Sequence, residues 1–281
     1  MKLTILGSGD CSGTPQLGCQ CRICKLARKK GHPYSRTRFS ILIETDFKSN
    51  NGIEKKYILI DTSPDLRHQL LRAGTEQIDA VLFTHSDYDH SSGVFEFYRT
   101  HSNNMYRKRE PVRIFSGKDI LYHVIEKEKH AKVLNIELNE IGLYDKFDLF
   151  GLKIQSFEVN HKNRLKVACR GYKITTPNNK TIIISGDTGL ELPEKTMKIW
   201  KESSPDLLIL EMFTNRKVDF LKGKHLTLSE VKEVVNEIKP KITAIVHVSH
   251  LLSITVDSLK EKLKEIDPHL ELSYDGMAFS F

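Results

Sequence analysis

Val81-Leu-Phe-Thr-His85-Ser-Asp87-Tyr-Asp89-His90 is the stretch on which the reading of this 281-residue chain turns. The apolar run from Ala80 to Phe83 predicts a buried strand. It ends in His85, Asp87, Asp89 and His90, followed by Ser91, Ser92 and Gly93. Backbone leaving a strand can splay alternate side chains towards one point, and imidazole and carboxylate donors gathered there suit a divalent transition metal. Four such donors are more than one open catalytic site takes from a single loop, so the segment predicts a two-metal centre. A polar loop rich in Asp and Ser would have the same composition, so donors elsewhere in the chain must decide.

Those donors stand at the ends of later apolar runs. His161 follows the alternating segment Gly151–Val159, Asp187 follows Lys180–Gly186 in a Ser-Gly-Asp-Thr setting, and His247 follows Ile242–Val246. Asp61 ends Tyr57–Ile60. Taken together, the pattern resembles the metallo-β-lactamase superfamily with its His-x-His-x-Asp-His signature, and it covers nearly the whole chain. One position departs: Asp87 stands where the second His is expected. The resemblance implies an α/β fold, an αββα sandwich of two mixed β-sheets between helical layers. It also implies that His85, Asp87 and His161 hold one metal and that Asp89, His90 and His247 hold a second. Asp187 would bridge the two, Asp61 would support the loop without binding metal, and Asp89 would share duty as ligand and water orienter.

Gly18-Cys19-Gln20-Cys21-Arg22-Ile23-Cys24 is a second metal-competent segment. Its Cys-x-Cys-x2-Cys spacing brings three thiolates within reach of one ion, and a closed four-ligand set would be structural zinc. His250, in His247-Val-Ser-His250, is the candidate fourth ligand. The combination is similar to the phosphoribosyl cyclic phosphate phosphodiesterase family, compact relatives of the tRNA 3′-processing endonucleases. That resemblance implies structural zinc at Cys19, Cys21, Cys24 and His250. It further implies that His225, in Gly223-Lys-His225-Leu-Thr227, contacts the scissile phosphate and protonates the leaving oxygen; a position just before a helix N-terminus favours anions. Cys11 and Cys169 read as ordinary buried thiols.

The expected chemistry is hydrolysis of a small anionic phosphodiester, cyclic or nucleotide-like, by two divalent ions (zinc, manganese or iron). Such a pair lowers the pKa of a shared water and neutralises charge on the phosphate. A carboxylate at position 87 shifts preference towards manganese or iron. Three alternatives stay open: a tRNA 3′-processing-type endonuclease, an oxygen-using hydroxylase like PqqB, and a non-catalytic binding module. Net charge is +7, which allows an anionic partner, but the basic runs lack the interleaved aromatics of a nucleic-acid platform, so nucleic acid is not favoured. No window approaches the ~18 apolar residues of a membrane span. The first strand starts at Lys2 in place of an export signal, which points to the cytoplasm, as do five Cys read as thiols or ligands. A homodimer is left open.

Strands are expected at Lys2–Leu6, Phe39–Glu44, Tyr57–Ile60, Ala80–Phe83, Val112–Phe115, Leu152–Val159, Gly171–Thr175, Thr181–Ile184, Leu207–Leu210 and Ile242–Val246. Helices are expected at Pro64–Ala73, Lys118–Glu128, Pro193–Lys201, Thr227–Ile238 and Val256–Ile266, the fourth opened by the capping box Thr227-Leu-Ser-Glu230. Pro177-Asn178-Asn179 marks a hairpin turn, while Lys48–Glu54 and Thr100–Glu110 read as polar excursions. No linker separates domains, so residues 1–281 are expected to form one.

Overall fold

Alternation along the apolar runs explains the architecture. In a strand, successive side chains face opposite sides, so a run that is apolar throughout must be covered on both. A computed structural model describes residues 1–50, 52–75, 77–97, 110–126, 134–163, 165–219 and 222–281. The first sheet contains β1 (Lys2–Gly7), β2 (Ser40–Ser49), β3 (Gly52–Ile60), β4 (Ala80–Leu82), β5 (Val112–Ser116), β6 (Ile136–Glu140) and, beside β1, the last strand β14 (Ala278–Ser280). The second runs β13-β12-β11-β10-β9-β8-β7. Its strands are β7 (Lys146–Leu149), β8 (Leu152–Val159), β9 (Cys169–Thr175), β10 (Thr181–Ile184), β11 (Leu207–Glu211), β12 (Thr243–Val246) and β13 (Leu270–Leu272).

Ile58, Ile60 and Leu82 point between the sheets and meet Ile154, Ile174, Ile182, Ile184 and Ile209. Their neighbours Leu59, Val81 and Phe83 point the other way, onto Leu66 of α2 (Leu66–Ala73) and Val94. On the second sheet, Leu208, Leu210 and Ile245 pack outward on Trp200, Val231, Val234, Leu259 and Leu263. These come from three helices, here α5 (Glu194–Ser203), α6 (Leu228–Ile238) and α7 (Val256–Ile266). The result is the αββα sandwich expected from the sequence. The capping box at Thr227 and Glu230 is formed, and the turn after Thr176 joins β9 to β10 as an antiparallel pair.

Four strands escaped the sequence reading, β6, β7, β13 and β14, and they are the four sheet edges. Edge strands are partly solvated and carry weak apolar periodicity. Lys48–Glu54 is not an excursion but the tip of the β2–β3 hairpin, closed at Ser49↔Gly52. Beyond Glu44 those strands pair only with each other, and the ribbon is mostly polar, with Phe47 meeting Phe150 on one face. The segment after the cysteine hook forms α1 (Arg22–Lys30). The helix expected at Lys118–Glu128 is a short α4 (Lys118–Leu121) widening into a π-turn, Tyr122–Glu126, and residues 127–128 lie outside the described residues. Most of the segment 100–110 also lies outside them. Among the described residues no helix is long and apolar enough to cross a membrane.

β3, β4 and β5 are parallel, and so are β10, β11, β12 and β13. Ligand-binding groups in such sheets gather at the carboxyl ends of the strands. In both sheets those ends carry the residues singled out above.

Candidate metal centre

The loop after β4 is held by one buried carboxylate. Asp61, at the exit of β3 with φ 59°, accepts the Thr84 amide at 2.8 Å, the Thr84 hydroxyl at 2.7 Å and His90 Nδ1 at 2.7 Å. These contacts turn His90 Nε2 inward. The short helix α3 (Tyr88–Ser91) is clasped to the same exit by the Thr62 amide on the His90 carbonyl and the Thr62 hydroxyl on Ser91. Asp87 precedes α3 without capping it, so its carboxylate is free to turn inward.

Two donor sets result. In the first, His85 Nε2 lies 3.9 Å from Asp87 Oδ2 and 3.8 Å from Asp187 Oδ2, and His161 Nε2 lies 3.7 Å from Asp87 Oδ2. In the second, His90 Nε2 lies 3.3 Å from Asp89 Oδ2 and 3.4 Å from Asp187 Oδ1. His247 Nε2 completes it, 3.6 Å from Asp89 Oδ2 and 3.3 Å from Asp187 Oδ2. Asp187 thus faces both sets. Donors bonded to one ion at about 2.0–2.2 Å stand roughly 3–4 Å from one another, as these do. Gly186 lets the chain reach this point: its φ is +63°, and a Cβ there would sit 3.0 Å from the Arg170 carbonyl oxygen.

Electrostatics fit a cation. His85 is buried, its Nε2 has no hydrogen-bond partner among the described residues, and burial with the neighbouring His90 pushes its pKa down to about 3. It therefore offers a neutral lone pair, the form that ligates metal. Burial opposes the charge on Asp187, but His247 and His90 outweigh it and hold the carboxyl well below its ordinary range. His161 behaves differently: burial lowers it, but Asp87, Asp187, the Lys224 carbonyl and Glu211 together raise it to about 9, so an entering cation would displace that proton. His85, His161 and Asp187 form one group able to bind metal, and Asp89, His90 and His247 form another, with Asp87 standing beside the first.

The donors open on a cleft of about 760 Å³. His225 lines it, its Nδ1 3.0 Å from Glu211 Oε1 and its ring stacked between Phe213 and His247 at 5.0 and 5.2 Å. Burial pushes His225 down to about 4, while burial and Asp187 push the Glu211 carboxyl well above its ordinary value. Glu211 was missed in the sequence, although it ends the apolar run Leu207–Leu210 as the other site residues end theirs. Lys162 and Lys224, each next to a site histidine, also line the cleft. Cys11 corrects an expectation: it is exposed on the cleft wall, because the Gly-rich turn after β1 carries it outward, whereas Cys169 is buried.

A second cluster lies beside the first. Cys19, Cys21, Cys24 and His250 bring their donor atoms within 4.8 Å of one another, with His250 Nδ1 3.5 Å from both Cys19 and Cys21 Sγ. Cys21 caps α1, its Sγ accepting the Cys24 amide at 3.4 Å, and Arg28 ties the hook by donating to the Cys19 and Gln16 carbonyls. Burial pushes the Cys24 thiol up to about 12, so a thiolate there needs a cation beside it.

Comparison with known proteins follows the same lines. The chain is 30% identical over 280 residues to an octanoyltransferase of Porphyromonas gingivalis, covering 99% of this chain and 51% of that protein. It is 31% identical over 176 residues to coenzyme PQQ synthesis protein B of Methylobacterium nodulans, covering 58% and 53%. The chain thus spans about half the length of the curated relatives it matches. Among solved structures, it resembles a diphosphatase from the PhnP family (TM-score 0.79, 24% identity, 100% of this chain and 97% of that one). It also resembles zinc-bound PqqB of Methylobacterium extorquens (TM-score 0.80, 20% identity, 100% of both). The short form of human tRNase Z follows at TM-score 0.68 and 17% identity, covering 100% and 99%. Residues 56–248 match the β-lactamase superfamily domain, and with the αββα sandwich and the His/Asp cluster at its strand ends this chain belongs to the metallo-β-lactamase superfamily.

Proposed function

We propose that the protein is a two-metal phosphodiesterase acting on a small anionic diester. His85, Asp87, His161 and Asp187 would hold one divalent ion, and Asp89, His90, His247 and Asp187 the other. The observation that carries this reading is Asp187, which lies within 3.8 Å of His85 on one side and 3.4 Å of both His90 and His247 on the other. Bound there, a metal pair supplies a nucleophile from water near neutral pH and offsets charge on the phosphate. Asp89 orients the attacking water as well as contributing to the second set.

The chain's own groups do the rest. Lys162 and Lys224 make the cleft wall attractive to an anion. The Glu211–His225 pair holds a proton between its oxygen and Nδ1. His225 Nε2 gives its proton to the leaving oxygen while Nδ1 takes the one held by Glu211, so the imidazole is never left short of a proton. Asp87, a harder donor than imidazole, favours manganese or iron over zinc at the first position. Cys19, Cys21, Cys24 and His250 leave no open position, which suits structural zinc.

The test is hydrolysis of bis-p-nitrophenyl phosphate by protein loaded with manganese, with elemental analysis of each preparation. Turnover that depends on metal is the expected result. Oxygen consumption without diester cleavage would favour a hydroxylase, and cleavage confined to tRNA 3′ ends would favour a processing endonuclease. The octanoyl transfer named for the P. gingivalis relative is not carried over, because about half of that protein lies outside the match.

A further inference from the structure

Tyr88 is an outlier in the cleft. It is 70% exposed, and among the described residues its ring and hydroxyl meet no partner. Single exposed apolar residues are ordinary on a protein surface, so the weight here comes from position. Tyr88 opens α3 between Asp87 and Asp89, one residue from each donor set, and it lines the cleft. Asp89, His90 and Ser91 take the buried directions of the same turn, and Thr62 clasps that turn to the exit of β3, so the backbone of Tyr88 is held at the cleft. The other large ring at the cleft, Phe213, is nearly buried and already stacked on His225. The backbone of this turn therefore presents one aromatic side chain to water beside the metal donors, with lysines elsewhere on the wall.

We infer that Tyr88 is a specificity platform on which a planar ring of the substrate stacks, so that the cleft takes ring-bearing phosphodiesters of the nucleotide kind. This rests on the phosphodiesterase reading above and narrows its substrate class. A tyrosine has only two side-chain torsions to order on stacking, and removing such a contact weakens binding by on the order of ten-fold.

The test compares a 2′,3′-cyclic mononucleotide with a ring-free analogue, glycerol 1,2-cyclic phosphate, in manganese-loaded parent, Tyr88→Phe and Tyr88→Ala. In Tyr88→Ala the selectivity for the cyclic nucleotide, as the ratio of kcat/KM values, should fall about ten-fold, carried by KM. Tyr88→Phe should keep the parent ratio, because stacking needs the ring and not the hydroxyl. Calorimetric titration with adenosine 5′-monophosphate and with ribose 5-phosphate gives the same comparison without turnover. The parent should bind the nucleotide about ten-fold more tightly, and Tyr88→Ala should bind both alike. Should the parent hydrolyse neither diester, the phosphodiesterase reading falls while the binding ratio still judges Tyr88. Equal affinities in the parent, or an Ala variant that keeps the parent ratio in both assays, overturns the platform. Melting temperature and metal content of the variants separate that result from misfolding.

Discussion

His247 and His250, three residues apart, belong to two clusters built in opposite ways. The sulfur cluster takes three of its four donors from Cys19 to Cys24 and only His250 from afar. Its local geometry is set by α1, which Cys21 caps, and by Arg28 holding the Cys19 carbonyl. The His/Asp cluster takes donors from both sheets, at the exits of β4, β8, β10 and β12, so only the closed sandwich assembles it. Donors are also unlike in chemistry. Thiolates with imidazole suit a closed tetrahedral zinc site, while carboxylates shared between imidazoles suit harder ions and leave room for substrate. The contrast teaches that one cluster should behave as part of the fold and the other as something the fold presents.

The sharpest way to break this contrast is Asp187→Ala. We expect hydrolysis of bis-p-nitrophenyl phosphate to fall by at least about 10²–10³-fold, the scale of losing one preorganised electrostatic element, with metal lost from the His/Asp cluster. Elemental analysis should still find the sulfur-cluster zinc; loss of both would show the clusters to be coupled. Cys24→Ser is the mirror experiment. Metal binding at a structural site is folding free energy, so the melting temperature should drop by roughly 10 °C, read by calorimetry with zinc counted in the same sample. An unchanged melting temperature would remove the structural role.

Asp61→Asn sharpens the comparison at the support of the loop. Asp61 anchors His90 through Nδ1, and replacing such a support typically costs 10–100-fold in metal affinity. Manganese titration of activity should show that rise in apparent Kd, while the sulfur cluster keeps its zinc. The smallest effect is expected from Asp87→His. Exchanging a carboxylate for imidazole should move preference towards zinc by about ten-fold. Parallel zinc and manganese titrations of parent and variant would reveal it, and identical preferences would retire Asp87 as a determinant of metal choice.

Much of this protein was legible because apolar runs and chemistry coincide. The apolar runs expected at Ala80–Phe83, Thr181–Ile184 and Ile242–Val246 contain β4, β10 and β12, and the polar residues that follow them lie at carboxyl ends, so one rule pointed to both strand and candidate donor. The edge strands β6, β7, β13 and β14 were silent, since a half-wet strand carries half the signal. Glu211 was silent for a different reason: a glutamate after an apolar run is commonplace, and only its burial beside His225 makes it notable.

The sequence by itself, through motifs that resemble the metallo-β-lactamase superfamily, pointed to that superfamily, to the αββα sandwich it implies and to the candidate donors, because such motifs lie within short windows of chain. Tertiary structure alone decided that Asp187 faces both donor sets, that Glu211 holds His225, that Cys11 lies on the cleft wall and that Tyr88 stands exposed beside it. These are statements about which groups from distant segments share one volume and which are denied water. Closing two sheets face to face fixes both, and no window of sequence contains either.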